Sequence, residues 1–218
     1  MFDEILFADD TICITRDTRT MNKMLSAVEK IGWKSGMRLN KGKCEALQFG
    51  GKSKIVFHNK TPVKSVEKSK YLGCVLNKSN NVIIEVRGRI REAMGILKRL
   101  HRFMRHSNCK LRFKLTVIQA VLFSKILFGL ESAELPNTAL KALDVFHLKC
   151  LRKILKLNTT FVNRNNTNVE VLRKANQHLP ANKQIKLLSQ VYLDRKQAFF
   201  AKVTLAPLQD PVRTISFL

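Results

Sequence analysis

The chain has 218 residues, 45% of them hydrophobic and 26% charged, a composition that supports a sizeable core and excludes wholesale disorder. Forty Lys and Arg against 16 Asp and Glu give a formal net charge of +24, which weighs against a merely soluble basic protein and points to polyanions, above all nucleic acid. Residues 1–50 hold eight basic and seven acidic side chains, whereas residues 51–218 hold 32 and nine, so acidic chemistry gathers at one end of a cationic body.

An anionic membrane surface is the rival partner for such charge. The opening Met-Phe-Asp-Glu lacks the basic segment of a signal peptide. The most apolar stretch, Val117 to Leu130, is interrupted by Gln119, Ser124 and Lys125, and reads as a buried helix too short and polar to span a bilayer. No membrane partner is expected. The five cysteines (13, 44, 74, 109 and 150) are odd in number and form no CxxC pair, the usage of scattered thiols in a reducing compartment. His147 and Cys150 form no metal set without a second pair at suitable spacing. The expected location is intracellular, either the nucleus or a cytoplasmic ribonucleoprotein.

In chain order, residues 2–15 predict a β-hairpin whose tip carries Asp9 and Asp10 between two strand-like runs. Rigid carboxylates at one point are what Mg²⁺ needs when it clamps phosphate oxygens. The bland alternative is a polar turn between half-buried strands. A helix follows over about 18–31, with Met21, Met24, Leu25 and Val28 at helical spacing, capped by Thr18 or Thr20 and ended by Gly32. Residues 37–49 predict a loop and then a strand. Short extended runs, Ile55 to Phe57 and Tyr71 to Leu76, flank Thr61-Pro62.

After a polar linker over 77–81 the period becomes helical almost to residue 157. Between Val86 and Arg105, the residues Val86, Ile90, Ala93, Met94, Leu97, Leu100 and Met104 share one arc. Arg87, Arg91, Lys98, Arg102 and Arg105 form a stripe beside it, roughly 27 Å long at helical rise and able to follow several phosphates. Lys141, Lys149, Arg152 and Lys156 repeat the design beside Leu140, Leu143, His147, Leu151 and Ile154. Two such helices favour a cationic groove over two solvated faces. An Asn/Thr-rich stretch over 163–168 marks a loop or boundary, and the last fifty residues are partly helical.

Several of these residues together carry a resemblance. Phe7-Ala8-Asp9-Asp10-Thr11, Leu39-Asn40-Lys41-Gly42-Lys43-Cys44-Glu45 and Tyr71-Leu72-Gly73 stand in this order. Phe146 to Leu155 and Thr167 to Leu172 follow. The chain, well to about residue 175 and faintly beyond, resembles the reverse transcriptases of non-LTR (LINE-type) retrotransposons. That resemblance implies an RNA-directed DNA polymerase working by two-metal nucleotidyl transfer with Mg²⁺. Asp9 would be a metal ligand and Asp10 a support of the same acidic centre. Lys43 would be the palm lysine that protonates the pyrophosphate leaving group, with Cys44 where threonine is usual. Tyr71, Leu72 and Gly73 would form the turn that grips the primer end. The partners would be an RNA template and a DNA primer, or their hybrid.

The implied fold is α+β: residues 1–80 the C-terminal half of an antiparallel palm carrying the Asp-Asp hairpin, 81–160 a helical thumb of three or so helices, 161–218 a helical or linker tail. One part is absent. Two-metal transfer needs a further aspartate on a second strand, bridging ions about 3.5–4 Å apart, and in the family it precedes this segment together with the fingers and nucleotide pocket. Asp3 would lie roughly 20 Å from Asp9 along the strand, and Asp17 falls beyond the hairpin. A dNTP would bind only if the missing half were supplied. The expectation is a truncated polymerase inactive by itself. Its alternatives are a non-catalytic basic RNA- or DNA-binding module, or a fragment like an intron maturase, which the C-terminal helices match less well.

Overall fold

A computed structural model describes residues 4–51, 53–79 and 81–216. The chain divides into two compact units, Met1–Asn80 and Asn81–Leu218. Residues 2 and 3, including Asp3, belong to the expected hairpin but lie outside the described residues.

The first unit is built from short strands and one helix. β1 (Glu4–Phe7) pairs antiparallel with β2 (Asp10–Cys13), Phe7 opposite Asp10. Ala8 turns the chain at φ 54°, so this two-residue tip has a positive φ where glycine is the usual occupant. α1 spans Thr18–Lys34. Its cap is neither Thr18 nor Thr20 but Asp17, whose Oδ1 accepts from the Thr20 amide and Oδ2 from the Thr20 hydroxyl, both at 2.7 Å. A carboxylate there also opposes the helix dipole, which a hydroxyl does not. The helix runs through Gly32 and stops at Gly36, at φ 74°. Met37 N–H reaches the Gly32 carbonyl at 2.8 Å and Gly36 N–H the Trp33 carbonyl at 3.1 Å, a Schellman ending that requires the left-handed residue at 36.

β3 (Glu45–Leu47) pairs parallel with β4 (Lys64–Val66), and β5 (Lys68–Tyr71) antiparallel with β6 (Cys74–Asn77). α1 holds the chain over 55–58 through polar groups. Asn22 Oδ1 accepts from Val56 N–H at 3.0 Å, and Glu29 Oε2 from His58 N–H at 2.6 Å. Ala46 and Phe57 are the buried apolar residues here among those described, while Leu6, Phe7, Ile31, Trp33, Met37 and Phe49 are each exposed.

The second unit is helical with a true core. Its helices are α2 (Val82–Arg99), α3 (His101–His106), α4 (Leu111–Ile118), α5 (Ser124–Leu127), α6 (Asn137–Ile154), α7 (Asn168–Asn176), α8 (Leu188–Leu205) and α9 (Pro211–Ser216). α2 packs on α5 and α6, and α8 on α6. Val86, Ala93, Leu97, Leu115, Ile118, Leu122, Leu143 and Leu151 are among the residues at its centre.

Two expectations change here. The single helix over 86–105 is interrupted at Leu100, where ψ opens to −2°. The apolar stretch is also longer than 117–130: α4, a π-helical turn at Gln119–Phe123, α5 and a 3-10 turn at Leu130–Ser132 join into 22 residues, Leu111–Ser132. By length and composition that stretch suffices to cross a membrane. In the structure it is a core element, with Leu115, Ile118, Leu122, Phe123, Ile126 and Leu127 buried.

Residues 161–218, set apart as a tail on sequence grounds, pack into the same unit. Asp144 of α6 accepts from Ser189 N–H at 2.9 Å and from its hydroxyl at 2.7 Å, satisfying a first-turn amide of α8 from outside that helix. Tyr192, 2% exposed, donates its hydroxyl to the Ala133 carbonyl at 2.6 Å. Asn176 brackets Ile185 by both of that residue's backbone groups, at 2.7 and 3.1 Å.

Candidate nucleic-acid interface and acidic hairpin

Asp9 occupies the second position of the β1–β2 turn and Asp10 opens β2; both side chains are exposed. Phe7 pairs with Asp10, so the two carboxylates stand at the tip of a short two-stranded hairpin. Lys43 is exposed in the turn over 41–43, where its N–H donates to the Asn40 carbonyl at 3.0 Å. The neighbouring Cys44 donates its thiol to the same carbonyl at 3.3 Å. Burial raises the thiol pKa of Cys13, and Glu4 and Cys44 raise it further.

Glu29 organises the turn over 41–43 and went unnoticed in the sequence. Lys41 pairs with it at 2.7 Å and also lies over the Phe57 ring at 4.9 Å. Burial pushes the Glu29 carboxyl up, but the hydrogen bonds from Lys41 and His58 N–H outweigh it and hold it below the usual carboxylate range. Glu45 accepts from Lys64 and Ser69, each at 2.9 Å, and these contacts lower its pKa.

Tyr71, Leu72 and Gly73 lie at the β5–β6 tip. Leu72 and Gly73 stand at φ 47° and 84°, the double positive φ of a type I′ turn. Leucine is costly in the first of these positions, a strain of the kind that clusters at functional sites. Leu72 is 39% exposed, and the Tyr71 hydroxyl is buried without a hydrogen-bond partner.

Arg87, Arg91, Lys98, Arg102 and Arg105 are all exposed. The first three lie on α2 and the last two on α3, so the stripe crosses the interruption at Leu100. The two acids over 82–106 are occupied elsewhere: Glu85 pairs with Arg89 inside the unit, and Glu92 with Lys125 at 2.9 Å. None of the five stripe cations enters an ion pair among the described residues.

The second set behaves differently. Lys141, Lys149 and Lys156 are exposed, but Arg152 is half-buried and engaged within the chain. Its Nη2 donates to the Asn166 carbonyl at 3.1 Å and to Asn168 Oδ1 at 2.9 Å. Lys156 sits at φ 55° just past the end of α6, where Leu157 N–H closes onto the Arg152 carbonyl at 2.9 Å. That is the position glycine usually fills.

Three polar residues are buried at core positions of helices; His147 lies on the expected apolar face of α6, whereas Arg89 and Lys114 carried no sign of burial in the sequence. Arg89 bonds the carbonyls of Ile126 and Phe128. Lys114 donates to the Met104 and Ser107 carbonyls at 2.8 and 2.9 Å. His147 is 0% exposed, with both ring nitrogens lacking a hydrogen-bond partner and the ring edge-on to Phe123 at 4.5 Å. Burial lowers its pKa to about 4.

No group of three or more His, Cys, Asp or Glu side chains able to hold a metal ion exists among the described residues. Asp9 and Asp10 are grouped with no third such side chain among the described residues.

The chain is similar to the retrovirus-related Pol polyprotein from type-1 retrotransposable element R2 of Popillia japonica, at 28% identity. The match covers 70% of this chain and 33% of that polyprotein, so the chain spans about a third of the relative it matches. The similarity relates the chain to a non-LTR retrotransposon polyprotein. No family model matches it, and no solved structure does.

Proposed function

We propose that this chain is a reverse-transcriptase-related nucleic-acid-binding segment of a non-LTR retrotransposon polyprotein, in which residues 1–80 are the second half of a palm and the helical unit is a thumb. The observation that carries the reading is the exposed, acid-free stripe of Arg87, Arg91, Lys98, Arg102 and Arg105. Both carboxylates over 82–106 are engaged by another cation. A cationic helical face of this kind holds a phosphate backbone without reading its bases. The partner that fits is a template–primer duplex, and the similarity to a retrotransposon polyprotein supports that choice. Asp9 and Asp10 on their turn would be the chain's contribution to an acidic centre, and Lys43, exposed in the turn over 41–43, its proton donor to a leaving pyrophosphate. The strained Leu72 tip supports a contact role for Tyr71, Leu72 and Gly73.

A second reading, a binding module without catalysis, is favoured for the chain taken alone. Its two tip carboxylates have no third ligand among the described residues.

The test is binding to an RNA–DNA hybrid and to duplex DNA without divalent metal, over a range of salt. Affinity should fall steeply, with a log–log slope near −0.9 per phosphate contacted on duplex DNA. Replacing the five stripe cations by glutamine should flatten that slope by up to about 4.5. Equal binding by parent and glutamine variant near physiological salt would overturn the reading.

A further inference from the structure

The loop after α6 is more highly built than its Asn/Thr composition suggests. Two consecutive turns form it: Val162 and Asn163 N–H both reach the Thr159 carbonyl at 3.0 Å, and Asn166 N–H reaches the Asn163 carbonyl at 3.0 Å. Asn163 braces the second turn by accepting from Asn165 N–H at 3.0 Å. Asn166, 4% exposed, closes the base through its Nδ2, which donates to the Asn158 carbonyl at 3.0 Å. Arg152 then ties the Asn166 carbonyl to α6. Both ends of the loop are thus pinned at one point, the design of a compact surface loop that carries function.

What this frame holds out is apolar. Phe161 is 100% exposed and Val162 72%. A phenyl ring left wholly in water forgoes the stabilisation that burial would give, and the surrounding bonds fix the tip outward. The chemistry around it selects the partner. From Val145 to Val169 the sequence has five basic residues (Lys149, Arg152, Lys153, Lys156 and Arg164) and no acidic one, and all but Arg152 are exposed.

We infer that Phe161 is a stacking platform for an unpaired base of a single-stranded nucleic acid, with Lys156 and Arg164 neutralising the adjacent phosphates. An exposed aromatic among cations is the recurrent design for single strands, because every base offers a π-face and every link a charge. Holding the loop in place before binding removes an ordering cost from the complex. The site deepens the nucleic-acid reading given above and rests on it. It differs from the stripe on α2 and α3 in what it recognises, since stacking requires a base that is not already paired.

Binding of the full chain to three fluorescent probes tests this: a blunt RNA–DNA hybrid, the same hybrid with an unpaired overhang bearing 2-aminopurine, and vesicles containing anionic lipid. The parent should bind the overhang probe more tightly than the blunt one and change the 2-aminopurine emission. Phe161→Ala should weaken overhang binding about tenfold and abolish the emission change, while blunt binding stays within about twofold. Phe161→Trp should retain both. The residue has no core contact to lose, and an unchanged melting profile excludes misfolding. Parent binding to both hybrids with no effect of Phe161→Ala would overturn the platform and leave the nucleic-acid reading intact. Parent binding to neither hybrid would overturn both. Vesicle binding that depends on Phe161, with overhang binding that does not, would reassign the tip to a lipid surface.

Discussion

Arg89 of α2 donates from Nη1 to the backbone carbonyl of Ile126 at 3.0 Å, and the same nitrogen bonds the carbonyl of Phe128. Helix ends leave their last carbonyls without intrahelical donors. Here a buried guanidinium from another helix supplies them, while Glu85 one turn earlier balances its charge. Arg89 therefore fastens the end of the long apolar stretch to α2, the helix that displays Arg87 and Arg91.

Replacing Arg89 by alanine should destabilise the helical unit by about 3 kcal/mol, because the buried Glu85 carboxylate loses this cation and the carbonyls lose their donor. Joint replacement, Glu85→Leu with Arg89→Met, should recover much of that loss. Urea unfolding followed by circular dichroism would decide between these outcomes.

The Lys156 backbone predicts an exchange of stability against binding. A non-glycine residue in the left-handed position after α6 is strained, so Lys156→Gly should stabilise the chain by about 1 kcal/mol. The same change removes an exposed cation from the Phe161 loop. Salt-dependent binding to single-stranded oligonucleotide should weaken even as the melting temperature rises.

Acid should unfold the chain through two identifiable groups. Burial holds the His147 pKa at about 4, below its ordinary value of 6.5, so the unfolded chain takes up the proton first. Stability is full above the ordinary value and is lost as pH falls towards and through about 4. Glu29 adds to this at lower pH: its carboxyl is depressed, so its contribution is present above the usual glutamate range and disappears as pH falls through the folded value. His147→Met should raise stability at neutral pH, by removing two unpartnered buried nitrogens, and flatten the decline between pH 6.5 and 4. Denaturant midpoints measured across that range would show it.

Primer extension on an RNA template with Mg²⁺ or Mn²⁺ should give no product above background, because the described residues supply two carboxylates and no third at one place. Extension abolished by Asp9→Ala would show that the acidic centre is completed by this chain or by a second copy of it.

The sequence made some of this architecture readable and hid the rest for definite reasons. The apolar arc from Val86 to Met104 faces the core, because burial imposes a period on residues that share a face. The cap and the stop of α1 were misplaced. Thr18, Thr20 and Gly32 are all acceptable at helix ends, and only the backbone shows that Asp17 and Gly36 hold those places. Arg89 and Lys114 were invisible as core residues, whereas His147 stood on the expected apolar face. Charge normally signals a solvated face, and the carbonyls that receive Arg89 lie 37 and 39 positions away in sequence. The docking of α8 rests on Asp144 and Ser189, 45 residues apart, a separation that no local pattern reveals.

That docking has a genetic consequence. A nonsense codon or frameshift at Leu188 would spare Asp9, Asp10, Lys43, the stripe and the Phe161 loop, yet delete Leu188 and Tyr192 from the core. Asp144 would lose the amide and hydroxyl it binds, and the Leu135 amide the Tyr192 oxygen that receives it at 3.3 Å. The reading frame is therefore under structural demand into α8, downstream of every residue in the proposed sites. Copies broken there would lose this packing with every residue of the proposed interface still encoded.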